Sequence, residues 1–300
     1  MPLLVVGSVA LDSVETPATR RDDVLGGSAV YFSYAASFFT PVQLVGAVGD
    51  DWPDEHTALL RARRIDTAGL EVVPGAKTFR WRGKYLPNMN DRETLEVHLN
   101  VFGDFDPKLP DASRKARYVF LANGSPRLQL GVLEQTPEAV LRVADTMDLW
   151  INLQRDELLA LLRRIDGVVL NDSEARLLTD EENLVRAGER VRELGPKFVV
   201  IKKGEHGAMF FGGDDRFVLP AYPTPSVVDP TGAGDTFAGG MMGYLAECGE
   251  LSASSLKTAL AYGTVAASFC VEDFSLERMK RIDRDDLDRR VQEYRRMLQF

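Results

Sequence analysis

The constraint that most narrows the fold of this 300-residue chain is the alternation of two apolar patterns. Runs of strand length recur at Leu3 to Val6, Gln43 to Val48, Tyr118 to Ala122, Val140 to Ala144, Val168 to Asn171 and Phe198 to Lys202. Between most of them lie stretches with helical spacing: Ser28 to Phe39, Glu55 to Arg64, Leu128 to Gln135, Glu157 to Arg164 and Leu184 to Leu194. Continuous apolar strands separated by amphipathic helices predict an α/β fold, a mostly parallel sheet covered by helices on both faces. Ligands of such sheets bind beyond the carboxyl ends of the strands.

Two stretches break the alternation. From Thr78 to Phe105, Phe79, Trp81 and Tyr85 and then Leu95, Val97, Leu99 and Val101 alternate with polar residues. One face is too polar for a central parallel strand, so an antiparallel ribbon is expected, serving as a lid, a dimer surface or both. After Asp235 the pattern becomes helical only, over Thr236 to Glu247, Ser252 to Phe269 and Asp285 to Leu298. A length of 300 residues suits a single main domain. We expect one α/β domain over 1–300 with lid segments at about 10–24 and 77–105.

The net charge of −9, without a long run of Lys or Arg, disfavours nucleic acid and anionic membrane as partners. A polyanionic ligand would then need a locally positive site made of backbone amides, a few basic side chains or a metal. Cys248 and Cys270 lie in apolar helical segments outside any metal or disulfide spacing and read as core thiols. Met1 leads directly into the apolar run at Leu3, and no apolar run reaches membrane-spanning length, so a cytoplasmic protein is expected.

The chemistry concentrates in Val227-Val228-Asp229-Pro230-Thr231-Gly232-Ala233-Gly234-Asp235-Thr236-Phe237-Ala238-Gly239-Gly240. Gly232, Ala233 and Gly234 leave backbone amides uncovered, and the helical run after them puts those amides at a helix N-terminus, where they attract an anion. Asp235 in the first turn also reads as a simple cap. Beside an anion hole, however, its carboxylate can take a hydroxyl proton while the amides hold charge on a phosphoryl group.

This segment resembles the signature of the ribokinase-like (PfkB) carbohydrate kinase family, whose three-layer fold carries a small β-sheet lid. The resemblance implies that Asp235 is the catalytic base, that Gly232, Ala233 and Gly234 form the anion hole, and that Asp229 and Thr231 hold a monovalent cation such as K⁺. Further motifs resemble the same family. In Val6-Gly7-Ser8-Val9-Ala10-Leu11-Asp12, Asp12 takes the place of the acid that binds substrate hydroxyls, and Gly26-Gly27-Ser28 that of the Gly pair against which the sugar packs. Val30-Tyr31-Phe32 stands where sugar kinases commonly carry an Asn, which leaves sugar, sugar phosphate or nucleoside open as the acceptor. Tyr31, Phe32 and Trp81 suit a base or furanose, whereas Arg80 and Arg82 suit a phosphorylated sugar.

Asn171-Asp172-Ser173-Glu174 resembles the Asn-x-x-Glu motif, which implies Asn171 and Glu174 near Mg²⁺, often through water. Read alone, the same residues are a helix cap from Asp172 or Ser173. Val199 to Ala208 resembles the strand and Gly-x-x-Gly turn beside the nucleotide, which puts Lys202, Gly204, Gly207 and Thr231 forward for ATP, with the base near Leu260 to Phe269. The segment Val271-Glu272-Asp273-Phe274 departs from the usual ending there.

Weaker signals carry less. His56, His98 and His206 are scattered and assigned no metal. Arg80, Arg82 and Lys84 also read as a solvated strand face. Asp145 to Trp150 ends a strand on the ligand side, in reach of substrate or magnesium. Arg278 to Arg290 reads as a salt-bridged helix surface.

The implied activity is ATP-dependent phosphorylation of a hydroxyl, a hydroxymethyl above all, of a sugar or nucleoside, in a homodimer joined through the lid. The alternative is a kinase-shaped sensor that binds a sugar or nucleotide without catalysis. A dinucleotide oxidoreductase lacks its Gly-x-Gly-x-x-Gly after the first strand, and a Walker-type kinase lacks Gly-Lys-Ser or Gly-Lys-Thr.

Overall fold

Strands β1 (Leu3–Val6), β2 (Ala10–Glu15), β3 (Arg20–Gly26), β4 (Val42–Gly49), β5 (Ile65–Val73), β6 (Phe79–Tyr85), β7 (Arg92–His98), β8 (Tyr118–Leu121), β9 (Leu141–Asp145), β10 (Gly167–Asn171), β11 (Phe198–Lys202), β12 (Ala208–Gly212) and β13 (Asp215–Leu219) are present in the computed structural model, which describes residues 2–299. The helices are α1 (Ser28–Ala36), α2 (Asp54–Ala62), α3 (Asp111–Arg114), α4 (Pro126–Gln135), α5 (Asp148–Leu153), α6 (Arg155–Leu162), α7 (Asp172–Thr179), α8 (Leu184–Glu193), α9 (Ala233–Cys248), α10 (Ala253–Cys270) and α11 (Arg284–Met297).

Nine strands form the central sheet in the order β13-β12-β11-β10-β9-β8-β1-β4-β5. From β5 to β11 all neighbours run parallel, and the β11–β12 and β12–β13 pairings are antiparallel. The apolar runs of β1, β4, β8, β9, β10 and β11 are continuous because these interior strands are buried on both faces. Leu3, Val5, Phe120, Val143, Val169 and Val200 face one core, with α1, α9, α10 and α11. Leu4, Val6, Val119, Leu121, Val168 and Leu170 face the other, with α4, α6, α7 and α8. The expected helix–sheet–helix architecture is therefore present.

A second sheet has the order β3-β2-β6-β7. It is two antiparallel hairpins joined by a parallel β2–β6 pairing, so the ribbon expected from Thr78 onward is half of a mixed sheet. Arg80, Arg82 and Lys84 project from its outer face into ion pairs with Asp23 and Asp51, with Glu96 and with Glu15. The solvated-face reading prevails there, and phosphate recognition by Arg80 or Arg82 is corrected. Trp81 and Tyr85 alternate onto the inner face, where Val14, Tyr85 and Phe274 form a small cluster of their own.

Two other expectations change. Tyr31 and Phe32 are buried in the main core, Phe32 stacked on Phe120 with centroids 4.3 Å apart, so neither lies over a ligand. Cys248 is exposed at the end of α9, and only Cys270 is a core thiol. The edge strands β5 and β13 are not anticipated, since charged residues interrupt their apolar patterns.

Helix α9 is rich in small residues because it is wedged between α1 and α10. A Cβ on Gly239 would stand 2.3 Å from the Phe32 carbonyl oxygen, and one on Gly240 would stand 3.0 Å from that of Tyr262. Gly239→Ala must push α9 from α1 and should cost about 1–3 kcal/mol of stability, read as a lower denaturation midpoint. An unchanged midpoint would show that the helices separate freely.

Candidate active site

The first turns of α1 and α9 meet at the carboxyl ends of the strands. Gly232, the residue before α9, adopts φ +75°, and its Cα lies against the ring of Tyr31, where a Cβ would come within 2.3 Å. Glycine is thus required both for the left-handed turn and for the close approach. Ala233 donates its amide to the Pro230 carbonyl, while the Gly234 amide has no protein acceptor among the described residues. Asp235 follows in the same turn, half-buried.

On one side stands Asp12, buried in β2. Gly27 (φ +98°) opens α1 and donates its amide to the Asp12 carboxyl, while Gly26 leaves room for it: a Cβ there would meet Oδ2 at 1.9 Å. Ser8 fixes this corner, its Oγ accepting from the Ser28 amide at 3.0 Å. Burial pushes the Asp12 carboxyl up to about 8, the Gly27 amide opposes this, and Asp229 and Asp235 add to it.

On the other side, parallel pairing sets Asn171 beside Lys202 and Asp145 beside Val169, so three strand ends supply polar groups to one edge. Lys202 Nζ rests over Gly234, where a Cβ would stand 2.7 Å from it. Its charge acts on Asp145, Glu174 and Asp235. Burial raises all three carboxyls, and Lys202 draws each one back. Gln129 holds the end of β9, donating to the carbonyls of Leu121, Ala122 and Asp145 at 3.0, 3.2 and 3.2 Å.

Asn171 and Glu174 do form a helix cap, with Asn171 itself, not Asp172 or Ser173, as the capping residue. Asn171 Oδ1 accepts from the Glu174 amide at 2.8 Å, and Glu174 Oε2 accepts from the Asn171 amide at 2.7 Å. Asp145 Oδ1 and Asp229 Oδ2 are buried without a protein hydrogen-bond partner. The other Asp229 oxygen, Oδ1, accepts from the Thr231 amide at 2.9 Å, and the Thr231 hydroxyl lies 3.3 Å from that of Tyr85. Unpartnered buried carboxylate oxygens suit a bound cation.

A cavity of about 440 Å³ opens beside Gly234, lined by Lys202, Gly204, Gly207, Tyr222 and Thr264. Of the residues expected at a nucleotide, Lys202, Gly204 and Gly207 share this lining, and Thr231 lies outside it. The α10 wall of the cavity includes Thr264, Ala267 and Ser268, within the segment expected near the base. The departing Glu272 anchors the loop after α10, accepting from Arg278 and Arg290 at 2.8 Å each. The tip of the β6–β7 hairpin, Asn88 to Asn90, closes the far rim. Asn88 to Asn90 stand outside every sequence motif, because a hairpin tip is tied to a site only through tertiary folding.

The family model described as pfkB family carbohydrate kinase matches residues 15–280. The chain belongs to this family. As a pfkB-family member it is a kinase of the sugar and nucleoside class. It is 30% identical over 263 residues to the cytidine kinase of Thermococcus kodakarensis, covering 84% of this chain and 93% of that one. It is 28% identical over 295 residues to the nucleoside kinase of Methanothermobacter thermautotrophicus, covering 90% and 89%. The fold matches a ribokinase II from E. coli, solved with ATP and Mg²⁺, at a TM-score of 0.79 and 18% identity over 97% of this chain and 99% of that one. No helix among the described residues is long and apolar enough to cross a membrane.

A raised Asp12 predicts a pH signature. Above the ordinary carboxyl value of 3.8 the unfolded chain releases this proton while the folded one keeps it until about 8, so the ligand-free protein loses stability across that window. The melting temperature of Asp12→Asn minus that of the parent should grow from pH 5 to pH 8, while acceptor binding weakens. A constant difference would contradict the raised carboxyl.

Proposed function

We propose that this pfkB-family enzyme transfers the terminal phosphoryl group of ATP to a hydroxymethyl of a nucleoside, with Asp235 as general base. The observation that carries this is the place of Asp235, between the Asp12 and Gly27 corner and the cavity at Lys202 and Gly234. Asp12 binds acceptor hydroxyls against Gly26 and Gly27. Lys202, Gly204 and Gly207 border the nucleotide, with Thr231 behind the loop. Asp235 takes the hydroxyl proton as the acceptor oxygen attacks, and the Gly232, Ala233 and Gly234 turn holds the charge that develops on the phosphoryl oxygens. Burial raises the Asp235 carboxyl, which makes it a better proton acceptor once ionised.

Asn171, Glu174 and Asp145 would hold a hydrated Mg²⁺ through one or two carboxylates and water, and the ion would supply charge neutralisation of the phosphates. Asp229, with its free Oδ2, and Thr231 fit a monovalent cation behind the anion turn. A nucleoside is favoured over a sugar phosphate by two observations. Both curated relatives described above carry nucleoside or cytidine kinase names, and the ion-paired Arg80, Arg82 and Lys84 face away from the site. The inner face offers Trp81, Tyr85 and Val97 instead, suited to covering a base or furanose.

The chain acts as one domain with the smaller sheet as its lid. A homodimer through that lid is supported by the outermost strand β7, which exposes Leu95 and Val97, with Leu99 just beyond its end.

Asp235→Asn tests the base. Its turnover should fall by about 10²- to 10⁴-fold while ATP affinity by calorimetry stays within roughly threefold of the parent. Undiminished turnover would remove Asp235 from the mechanism.

A further inference from the structure

One face of the last helix, α11, reaches the walls of the cavity beside Gly234. Arg290, Glu293 and Tyr294 share that face, spaced three and four residues apart. The segment after β13 runs along them without regular structure of its own and is held at three points. The Tyr294 hydroxyl donates to the Pro220 carbonyl, the Tyr222 hydroxyl to Glu293 Oε2 at 2.9 Å, and the Thr224 hydroxyl to Glu272 Oε1 at 3.2 Å. Tyr222 and Thr224 line the cavity together with Ser268 and Val271 at the end of α10.

Arg290 joins these two walls. Its Nη1 donates to Glu272 Oε1 at 2.8 Å and to Ser268 Oγ at 3.0 Å. Its guanidinium carbon lies 3.3 Å from the centroid of the Phe269 ring and 4.9 Å from that of Tyr222. Stacking by the plane and donation at the edge is a combination that arginine offers and lysine does not. The Arg290 and Glu272 side chains are 15% and 14% exposed, and no other ion pair among the described residues has both partners so buried. Withdrawing two charges this far from water brings little stability by itself, so the pair is better explained by the geometry it fixes. Both residues lie where the sequence alone suggests no site. Arg290 ends a stretch that reads as a salt-bridged surface, and Glu272 sits in the segment that departs from the family's usual ending.

We propose that Arg290 and Glu272 are positioning residues for the donor nucleotide: together they hold the Tyr222 to Thr224 segment against α10 and so shape the part of the cavity that takes the base of ATP. The lining hydroxyls agree with a wall set in advance. Tyr222 and Thr224 give their protons to Glu293 and Glu272, while Thr264 and Ser268 give theirs to the Leu260 and Val265 carbonyls at 2.9 and 2.7 Å. A wall ordered before the nucleotide enters spares binding the cost of ordering it. Neither residue of the pair touches the reacting atoms, so the pair acts on donor affinity and leaves the acceptor corner and the transfer step alone.

This rests on the kinase reading and is tested beside it. Arg290→Met, Arg290→Lys, the double variant Arg290→Met with Glu272→Leu, and the control Arg289→Ala, a side chain 72% exposed on the same helix, would be compared with the parent. We expect Arg290→Met to raise the KM for ATP by about 10-fold, with kcat and the nucleoside KM within roughly twofold. Arg290→Lys should raise it less, and Arg289→Ala should match the parent. Arg290→Met alone leaves a buried carboxylate short of its partner and lowers the denaturation midpoint. The double variant removes both charges and should regain the midpoint while its KM for ATP stays raised. A parent that turns over no acceptor would count against the kinase reading. With an active parent, three results would overturn the role of the pair: an unchanged KM for ATP in Arg290→Met and the double variant, a loss confined to kcat, or a double variant that regains midpoint and KM together. Independently of turnover, magnesium tripolyphosphate, which carries the phosphates without a base, should shift the melting temperature of the parent and the double variant alike, while ATP shifts that of the double variant less. Equal losses with both ligands would overturn the proposal too.

Discussion

Lys202 and the Gly232–Gly234 turn stand amid five carboxyls, Asp12, Asp145, Glu174, Asp229 and Asp235, and the rest of the site follows from that crowding. Four of these five groups are buried, and Asp235 is half-buried. Burial raises every one of them. An assembly so rich in acid is costly unless cations and backbone donors share it. Helix N-termini supply donors: α1 through Gly27 to Asp12, and α9 through its open first turn. In the function proposed above, cations bound with the substrates would complete the balance and let a net negative chain handle a polyphosphate.

The packing of α1 against α9 converts fold into site. Gly239 and Gly243 let α9 lie against α1, the first near the Phe32 carbonyl and the second near Ala36, and Tyr31 in α1 fills the space beneath Gly232. The Asp12 corner and the Gly232–Gly234 turn are consequently held by the same pair of helices. The smaller sheet reaches the same point from above, through Tyr85 to Thr231 and through Asn90 to the Gly204 turn. The Asp12 corner, the Lys202 edge and the smaller sheet therefore share one junction.

Much of this was legible in the sequence because it is local. The parallel strands announce themselves as continuous apolar runs, and Gly232 to Asp235 directly precede the small-residue helix they cap. The rest depends on tertiary neighbours. β5 and β13 are edge strands, half-exposed and interrupted by charge, so their patterns carry little. Tyr31 and Phe32 look available as aromatic covers, yet α1 is buried on every side and draws them into the core. The Asn171 to Glu174 stretch admitted a cap and a ligand reading together, and its geometry supplies the cap while leaving Glu174 beside Lys202.

The central claim is phosphoryl transfer from ATP to a nucleoside hydroxyl. Its most direct test is product identification: the purified protein, ATP, Mg²⁺ and K⁺ incubated separately with nucleosides, furanoses and sugar phosphates, with products resolved by mass spectrometry. The account predicts a nucleoside monophosphate formed in step with ADP. Phosphorylation confined to a sugar or sugar phosphate would contradict the nucleoside assignment, and ATP left intact with every acceptor would contradict the transfer itself.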